Sequence, residues 1–306
     1  MNYITVKQVA EKWNISERSV RGYCSEGKID GVVLVGKTWG IPENAEKPAR
    51  KKRIQKSRRT VLDVLREEQQ SHIPGGLYHK VQIELTYNSN HMEGSRLTHD
   101  QTRYIFETNT IGFDKANIRV DDVVETANHF RCIDYMIENV NQPVSESMLK
   151  RIHFMLKNGT SDSRKSWFAV GDYKQEPNEV GGIKTTEPEK VEEEMKKLLE
   201  WYRKIDIVAL DDVLEFHYRF ERIHPFQDGN GRVGRLIIFK ECLRNGIVPF
   251  IIEDEIKLFY YRGLNEWRSE KGFLRETCLS AQDKFKTYLD YFRIEYTEDN
   301  QNDISD

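Results

Sequence analysis

The sequence contains few cysteines and no long apolar run. Its 306 residues include only four cysteines, which lie far apart and form no CxxC pair, so we expect neither a disulfide framework nor a structural zinc site. No segment approaches the roughly 18 consecutive apolar residues of a membrane-spanning helix, and the first residues lack the charged-then-apolar pattern of a signal peptide. The Walker-type string GxxxxGK[ST] is also absent, which argues against a Walker-type ATPase. These absences predict a cytoplasmic protein without membrane contact.

Charge is distributed unevenly along the chain. The sequence is 38% hydrophobic and 11% aromatic, which is enough apolar material for a sizeable core. Residues 1–60 contain 14 of the 47 Lys and Arg residues but only 6 of the 50 Asp and Glu residues. The length and this asymmetry predict two domains, of which the basic first one is the candidate for a nucleic-acid partner. Two domains that merely differ in surface charge would show the same asymmetry.

The first 46 residues begin with two predicted short helices. Thr5 and Gln8 have the spacing of a capping box, and the apolar residues that follow recur with helical periodicity over residues 6–13. Ser16 is placed to cap a second helix that runs to about Cys24.

A predicted β-hairpin follows these helices. Its strands lie at about 32–35 and 38–41, joined by a Gly36-Lys37 turn. Two helices and a hairpin predict a winged helix-turn-helix domain over residues 1–46, and the wording of this segment resembles the excisionase and MerR-like family. The second helix of that family enters the major groove of DNA, so the resemblance implies DNA contacts by Arg18, Ser19, Arg21 and, at the tip of the wing, Lys37. Such modules also serve as protein–protein adaptors, which leaves a second interpretation open.

Two further segments are too polar to pack. Residues 47–60 contain eight Lys and Arg residues and no acidic residue, so we expect a solvated basic linker. This linker is either a tether or a source of additional phosphate contacts for residues 1–60. The tail at 293–306 is acidic and polar, and we expect it to be disordered.

Helical periodicity dominates from about residue 61 to residue 292. The predicted helices lie at about 61–70, 77–93, 98–108, 121–138, 145–157, 187–204, 210–222, 230–244, 255–268 and 273–292. Residues 166–186 differ, because they hold three glycines and a proline around short apolar pieces, which favours a β-hairpin. The predicted fold class is therefore mainly α, with one hairpin in the larger domain and a small winged helix-turn-helix before it.

The string HPFQDGNGRVGR at residues 224–235 contains the main candidates for catalytic and ligand-binding residues in this chain. It lies between two predicted core helices and opens the second of them. Gly229-Asn230-Gly231 allows backbone N–H groups to converge at the N-terminus of that helix, which is a favourable site for an anion. The sequence therefore predicts a phosphate-binding loop.

Four side chains of this loop supply reactive groups. Arg232 and Arg235 are three residues apart and can reach polyanionic oxygens from one helix face. Asp228 offers hard oxygen ligands suited to Mg²⁺, and His224 can accept a proton from an attacking hydroxyl. A plain helix-linking loop would explain one such residue, but the whole set indicates phosphoryl or nucleotidyl transfer.

The same string matches the signature HPFx(D/E)GNGRxxR of the Fic-domain family without a departure, and the resemblance extends over roughly residues 75–292. It implies transfer of AMP from ATP to a Ser, Thr or Tyr hydroxyl of a target protein, the chain itself included. The resemblance assigns the base to His224 and the Mg²⁺ ligand to Asp228. It implies nucleotide binding by Gly229, Asn230, Gly231, Arg232 and Arg235.

A second motif resembles the inhibitory signature SxxxEG of this family. Ser89 and Glu93 are four residues apart on the predicted helix at 77–93, so they share a face, and Gly94 ends that helix. The resemblance implies that Glu93 pairs with Arg235 and so inhibits the transfer from within the same chain. In some relatives this glutamate also supports removal of AMP, so the direction of the reaction stays open.

Two further resemblances concern the target and the base of the nucleotide. Residues 166–186 occupy the place of the family's flap, which pairs with the target by strand addition. The resemblance implies docking contacts by Val170, Tyr173 and Val180. Tyr261 and Leu264 resemble the family's adenine pocket, but Arg268 stands where some members have an asparagine, which leaves the choice of nucleotide donor open.

Two classes of function follow from these observations. The first is an Mg²⁺-dependent protein adenylyltransferase that is inhibited by Glu93. The second is a DNA-binding transcriptional regulator that uses its Fic domain as a nucleotide sensor or for oligomerisation. The two are compatible within one chain, and the oligomeric state stays open.

Overall fold

The computed structural model describes residues 2–36, 38–48, 59–112 and 117–296. The chain divides into two units, Met1–Ser57 and Arg58–Asp306. Lys37, most of the basic linker and most of the acidic tail lie outside the described residues, so what the sequence predicts for them stays a prediction.

The N-terminal unit consists of two helices and an antiparallel three-stranded sheet. Its elements are β1 (Tyr3–Thr5), α1 (Val6–Trp13), α2 (Glu17–Ser25), β2 (Val33–Val35) and β3 (Thr38–Pro42). The strands lie in the order β1-β3-β2. Both predicted helices and the predicted hairpin are present, and Thr5 and Gln8 form the predicted capping box. The sequence does not predict β1, because three residues are too few to display a period of two.

The second unit is mainly helical. Its elements are α3 (Val61–Ser71), α4 (Leu77–Met92), α5 (His99–Thr108), α6 (Val120–Glu138), α7 (Glu146–Lys157), β4 (Glu179–Val180), β5 (Ile183–Lys184), α8 (Pro188–Arg203), α9 (Leu210–Ile223), α10 (Asn230–Arg244), α11 (Lys257–Glu266) and α12 (Gly272–Tyr291). Each helix predicted beyond residue 61 is present, with its ends shifted by at most two residues. Within the described ranges, no helix combines the length and the apolar character needed to cross a membrane.

Helices α9 and α10 lie at the centre of this unit. The α9 residues Phe216 and Phe220 and the α10 residues Val233 and Leu236 are all buried in one continuous apolar core. Close packing of both helices fixes the direction in which α9 ends and α10 begins. The loop between them, which carries the 224–229 part of the signature string, is therefore held at both ends by the core.

The β-hairpin is shorter than the sequence predicts. Only residues 179–184 form it, through a Gly181-Gly182 turn in which both glycines have positive φ. Residues 166–178 do not pair as strands: they form turns, and some of them bond to the signature loop. The backbone N–H of Lys174 donates to the carbonyl of Pro225 at 2.8 Å, and the side-chain amide of Asn178 donates to the carbonyl of Phe226 at 3.0 Å.

Candidate active site

His224 lies at the point where α9 ends. Its backbone adopts the left-handed conformation with φ of 52°, and its N–H donates to the carbonyl of Phe220. Burial, together with the nearby Lys174 ammonium, lowers the pKa of His224 to about 4. The imidazole is therefore neutral at pH 7, which is the form that accepts a proton.

The signature loop is held by hydrogen bonds from a side chain within it. Asn230 accepts a bond from the backbone N–H of Phe226 and donates one to the carbonyl of Phe226, both at 2.8 Å. Gly229 precedes α10 with φ of 83°, a conformation that favours glycine. These contacts fix the backbone at the start of α10, where the free N–H groups of a helix favour an anion.

His153 supports the loop from α7, a role that the sequence does not predict. Its ring stacks on Phe226 with centroids 4.1 Å apart. The backbone N–H of Gly171 donates to Nδ1 at 2.9 Å, so Nε2 carries the proton and donates to the carbonyl of Asp228 at 3.1 Å. His153 thus connects α7 to the signature loop and to the segment that contains Gly171.

Asp228 belongs to a cluster of charges around a buried lysine. The Lys157 ammonium lies 2.7 Å from Asp228 Oδ2, 2.5 Å from Glu125 Oε1 and 2.9 Å from Asp162 Oδ2. Arg232 contacts both Glu125 and Asp228. Burial acts to raise the pKa of Asp228, but Arg232 and Lys157 outweigh it and hold that pKa well below its usual range.

The donor set at this cluster fits a divalent cation in part. Ligand oxygens of Glu125, Asp162 and Asp228 lie within 4.8 Å of one another, but Lys157 already lies among them. Asp228 is ionised and its side chain is 47% exposed, so it remains accessible as a hard oxygen ligand from the side of the solvent.

Arg235 is held by α4 as the sequence predicts. Its Nη2 lies 2.6 Å from Glu93 Oε1, and it also donates to the carbonyl of Ser89. Its Nε donates to Ser89 Oγ at 3.0 Å. Burial opposes the charge, yet the Glu93 carboxylate raises the pKa of Arg235 above its ordinary value. A Cβ at Gly231 would collide with this carboxylate, so the loop and the α4 terminus are in close contact.

A pocket of about 390 Å³ joins several of the predicted residues. Its lining includes His224, Gly231, Arg235, Glu93, Tyr261, Leu264 and Val180. Ser89, Gly94, Asp228, Gly229, Asn230 and Arg232 support this pocket or lie beside it and are not part of its lining. Gly94 has φ of 90° and lets the chain turn directly after Glu93.

Two of the residues assigned to target docking lie outside the hairpin, and Arg268 lies outside the pocket. Tyr173 packs into the core with its ring 5.9 Å from that of Phe226, and Val170 precedes the hairpin, so neither belongs to the hairpin that the sequence assigned them to. Arg268 lies at a neighbouring pocket and covers the ring of Tyr218.

Comparisons with known proteins relate part of this chain to one family. Residues 143–241 match the model of the Fic/DOC family. Protein adenylyltransferase Fic of Nematostella vectensis is 27% identical over 184 residues, which is 59% of this chain and 42% of that protein. Protein adenylyltransferase fic-1 of Caenorhabditis elegans is 25% identical over 193 residues, 58% of this chain and 35% of that protein. The chain thus spans less than half the length of these curated relatives.

Solved structures share the fold of the helical unit. A Fic domain containing signaling protein from Bacteroides thetaiotaomicron superposes with a TM-score of 0.57 and 26% identity, over 75% of this chain and 90% of that one. Residues 134–508 of Fic-1 from C. elegans superpose with a TM-score of 0.58 and 18% identity, over 76% of this chain and 72% of that one. At this identity the similarity shows a shared fold only. Residues 143–241 therefore match the Fic/DOC family, and the chain is similar, at 25–27% identity over 58–59% of its length, to Fic protein adenylyltransferases.

Proposed function

We propose that this chain transfers AMP from ATP to a Ser, Thr or Tyr hydroxyl of a protein and that Glu93 inhibits the transfer. The observation that carries the proposal is the 390 Å³ pocket in which a neutral histidine, a buried guanidinium and the N-terminus of α10 meet. Relatives that are 25–27% identical and named protein adenylyltransferases support the same activity.

His224 acts as the base in this reaction. It takes the proton of the acceptor hydroxyl while the hydroxyl oxygen bonds to the α-phosphorus and the bond to the leaving pyrophosphate breaks. The backbone N–H groups at the start of α10 and Arg232 stabilise the phosphates, while Tyr261 and Leu264 contact the base of the nucleotide. Asp228 would hold Mg²⁺, which when bound neutralises phosphate charge.

Inhibition follows from the contacts of Arg235. Its guanidinium donates to Glu93, to the Ser89 hydroxyl and to the Ser89 carbonyl, so it is not available to the γ-phosphate of ATP. A nucleotide that binds without this contact presents its α-phosphorus poorly to His224. The Glu93 carboxylate also lines the pocket, where it can hold a water, so we include removal of AMP from the modified protein in the proposal.

Target docking is assigned to the hairpin. Val180 is 44% exposed and also lines the pocket, so a target segment that adds to this hairpin would bring its hydroxyl towards His224. Val170 and Tyr173 are not part of this docking surface.

Label transfer from ATP tagged on the α-phosphate, in the presence of Mg²⁺, tests the proposal. The samples are wild type, Glu93→Gly, and Glu93→Gly combined with His224→Ala, with self-modification and lysate proteins as readouts. We expect label in the Glu93→Gly sample at ten times the wild-type level or more, because Arg235 is released, and none in the double variant.

The matched control is Glu138→Gly, which removes a glutamate from the end of α6. Equal labelling of wild type, Glu93→Gly and Glu138→Gly in folded protein would contradict inhibition by Glu93. Labelling that persists in the variant with His224→Ala would contradict the assignment of His224 as the base.

A second proposal concerns the N-terminal unit, where Arg18, Ser19 and Arg21 are exposed on α2. Arg21 pairs with Glu17 at 3.2 Å and Ser19 bonds to the cap residue Ser16, whereas Arg18 has no ion-pair partner among the residues that the structure describes. We propose that this surface of α2 binds duplex DNA. In this proposal the chain is a DNA-binding regulator, and its Fic domain is the nucleotide sensor.

Binding of duplex DNA by the full chain at several salt concentrations tests this second proposal. We expect affinity to fall steeply with salt and to drop at least tenfold in Arg18→Ala combined with Arg21→Ala. Lys7→Ala combined with Lys12→Ala, on α1, is the control. The absence of salt-sensitive DNA binding would contradict this second proposal. An equal loss of DNA affinity in the α2 double variant and in the α1 control would contradict it as well.

A further inference from the structure

Three buried polar atoms without a hydrogen-bond partner converge behind His224. They are His224 Nδ1, Glu221 Oε1 and His217 Nδ1. The Glu221 carboxyl group lies between the two imidazoles, with Oε2 3.9 Å from His224 Nδ1 and Oε1 3.9 Å from His217 Nδ1. Buried polar atoms are rarely left unpaired, and here each has a partner within reach of a small side-chain rotation.

The neighbouring helix leaves room for this group. A Cβ added at Gly234 of α10 would lie 2.5 Å from Glu221 Oε1 and 2.8 Å from His217 Nδ1. Only glycine therefore fits at this position while Glu221 and His217 keep their places. The carboxyl group is thus accommodated by α10 as well as by its own helix.

We propose that Glu221 is a positioning residue for the reaction proposed above, on which this inference rests: it bridges His217 and His224 and fixes the ring of His224 with its proton on Nδ1. A proton on Nδ1 leaves Nε2 with its lone pair, which is the form a base requires. The backbone of Glu221 also contacts the His224 imidazole through a hydrogen bond that acts to raise the pKa of His224, and the Glu221 side chain adds the link to His217.

When Glu221 is neutral, the proposed bridge gives a hydrogen-bond partner to each of the three unpaired atoms. His217 Nε2 lies 2.5 Å from the Tyr260 hydroxyl. In the proposed bridge Nε2 is the donor of this bond, which makes His217 Nδ1 an acceptor. Glu221 then donates its proton to His217 Nδ1 through Oε1 and accepts the Nδ1–H of His224 through Oε2.

The surrounding charges agree with a neutral carboxyl group. Burial raises the pKa of Glu221 to about 8, with Arg235 acting against the rise and Glu93 adding to it. Tyr260 and Tyr261 face the same space and are both protonated at neutral pH, since burial raises the pKa of each.

Replacing Glu221 in the Glu93→Gly background tests the inference. Gln has the shape and the donor and acceptor of a neutral Glu, so Glu221→Gln should retain kcat to within tenfold, whereas Glu221→Leu should lose about 100-fold in kcat with little change in the KM for ATP. Glu200→Gln, on the exposed surface of α8, is the control for charge.

The ring nitrogens of His224 provide a readout that does not depend on transfer. In ¹⁵N spectra of histidine-labelled protein we expect the Nδ1–H form in wild type and in Glu221→Gln, and a shift towards Nε2–H in Glu221→Leu. An unchanged tautomer in Glu221→Leu, or a loss of kcat that equals that of Glu221→Gln, would overturn the inference. Absence of transfer in every variant would contradict the proposed function, and the spectra would still decide the role of Glu221.

Discussion

At the scale of single residues, the site depends on partners that lie far away in the sequence. Lys157 is the clearest case, because its ammonium is bonded to carboxylates from three other segments while its side chain is 2% exposed. A single buried cation among three carboxylates is stabilising only while the pairing is complete. Lys157 therefore holds Asp228 and limits the space open to a divalent cation.

Lys157→Met should leave three carboxylates without their central cation. We expect the free energy of unfolding to fall by about 3 kcal/mol, and we expect Mg²⁺ or Mn²⁺ to restore part of it by binding in the place of the ammonium. Urea unfolding with and without the cation measures both effects.

The exposed Lys190→Met is the matched control for this change. Stabilisation by Mg²⁺ that is equal in wild type, Lys157→Met and Lys190→Met would contradict the role given to Lys157.

At the scale of elements, short polar motifs set where helices start and stop. Capping boxes precede α1, α3 and α5, and each joins a threonine to the residue three positions later. These contacts are local, which explains why the helix boundaries could be predicted from sequence to within two residues. The hairpin was predicted less well, because residues 166–178 form turns, and Lys174 and Asn178 bond to the signature loop in place of strand partners.

Thr98→Ala should weaken α5 without touching the pocket. The Thr98 hydroxyl accepts a bond from the backbone N–H of Gln101 at 3.1 Å, so its loss should cost about 1 kcal/mol of stability. Thermal unfolding measures the change, with Thr108→Ala at the other end of α5 as the control. An equal or larger loss at Thr108 would argue against capping as the cause.

At the scale of the whole molecule, the two units differ in fold and in predicted charge. The N-terminal unit has its own small core, which includes Val9, Trp13, Val20 and Ile41. The helical unit carries the signature loop and the α4 motif, and its family match is confined to residues 143–241. Activity and DNA binding can therefore be tested separately, by variants in one unit at a time.

The amino-acid sequence was sufficient to predict the helices and the signature loop, whereas the Arg235–Glu93 contact, which joins residues 142 positions apart, was implied by the resemblance of the SxxxEG motif. Helical periodicity and caps are local properties, and the two motifs are each contiguous strings whose spacing places side chains on one face. Other contacts became visible only in the folded structure. Lys157 lies among the carboxylates, and His153 supports the signature loop. Tyr173 packs against the core, and Glu221 lies between two histidines. These contacts join residues up to about 75 positions apart, and their pairing depends on how helices pack and on which buried charges must be compensated.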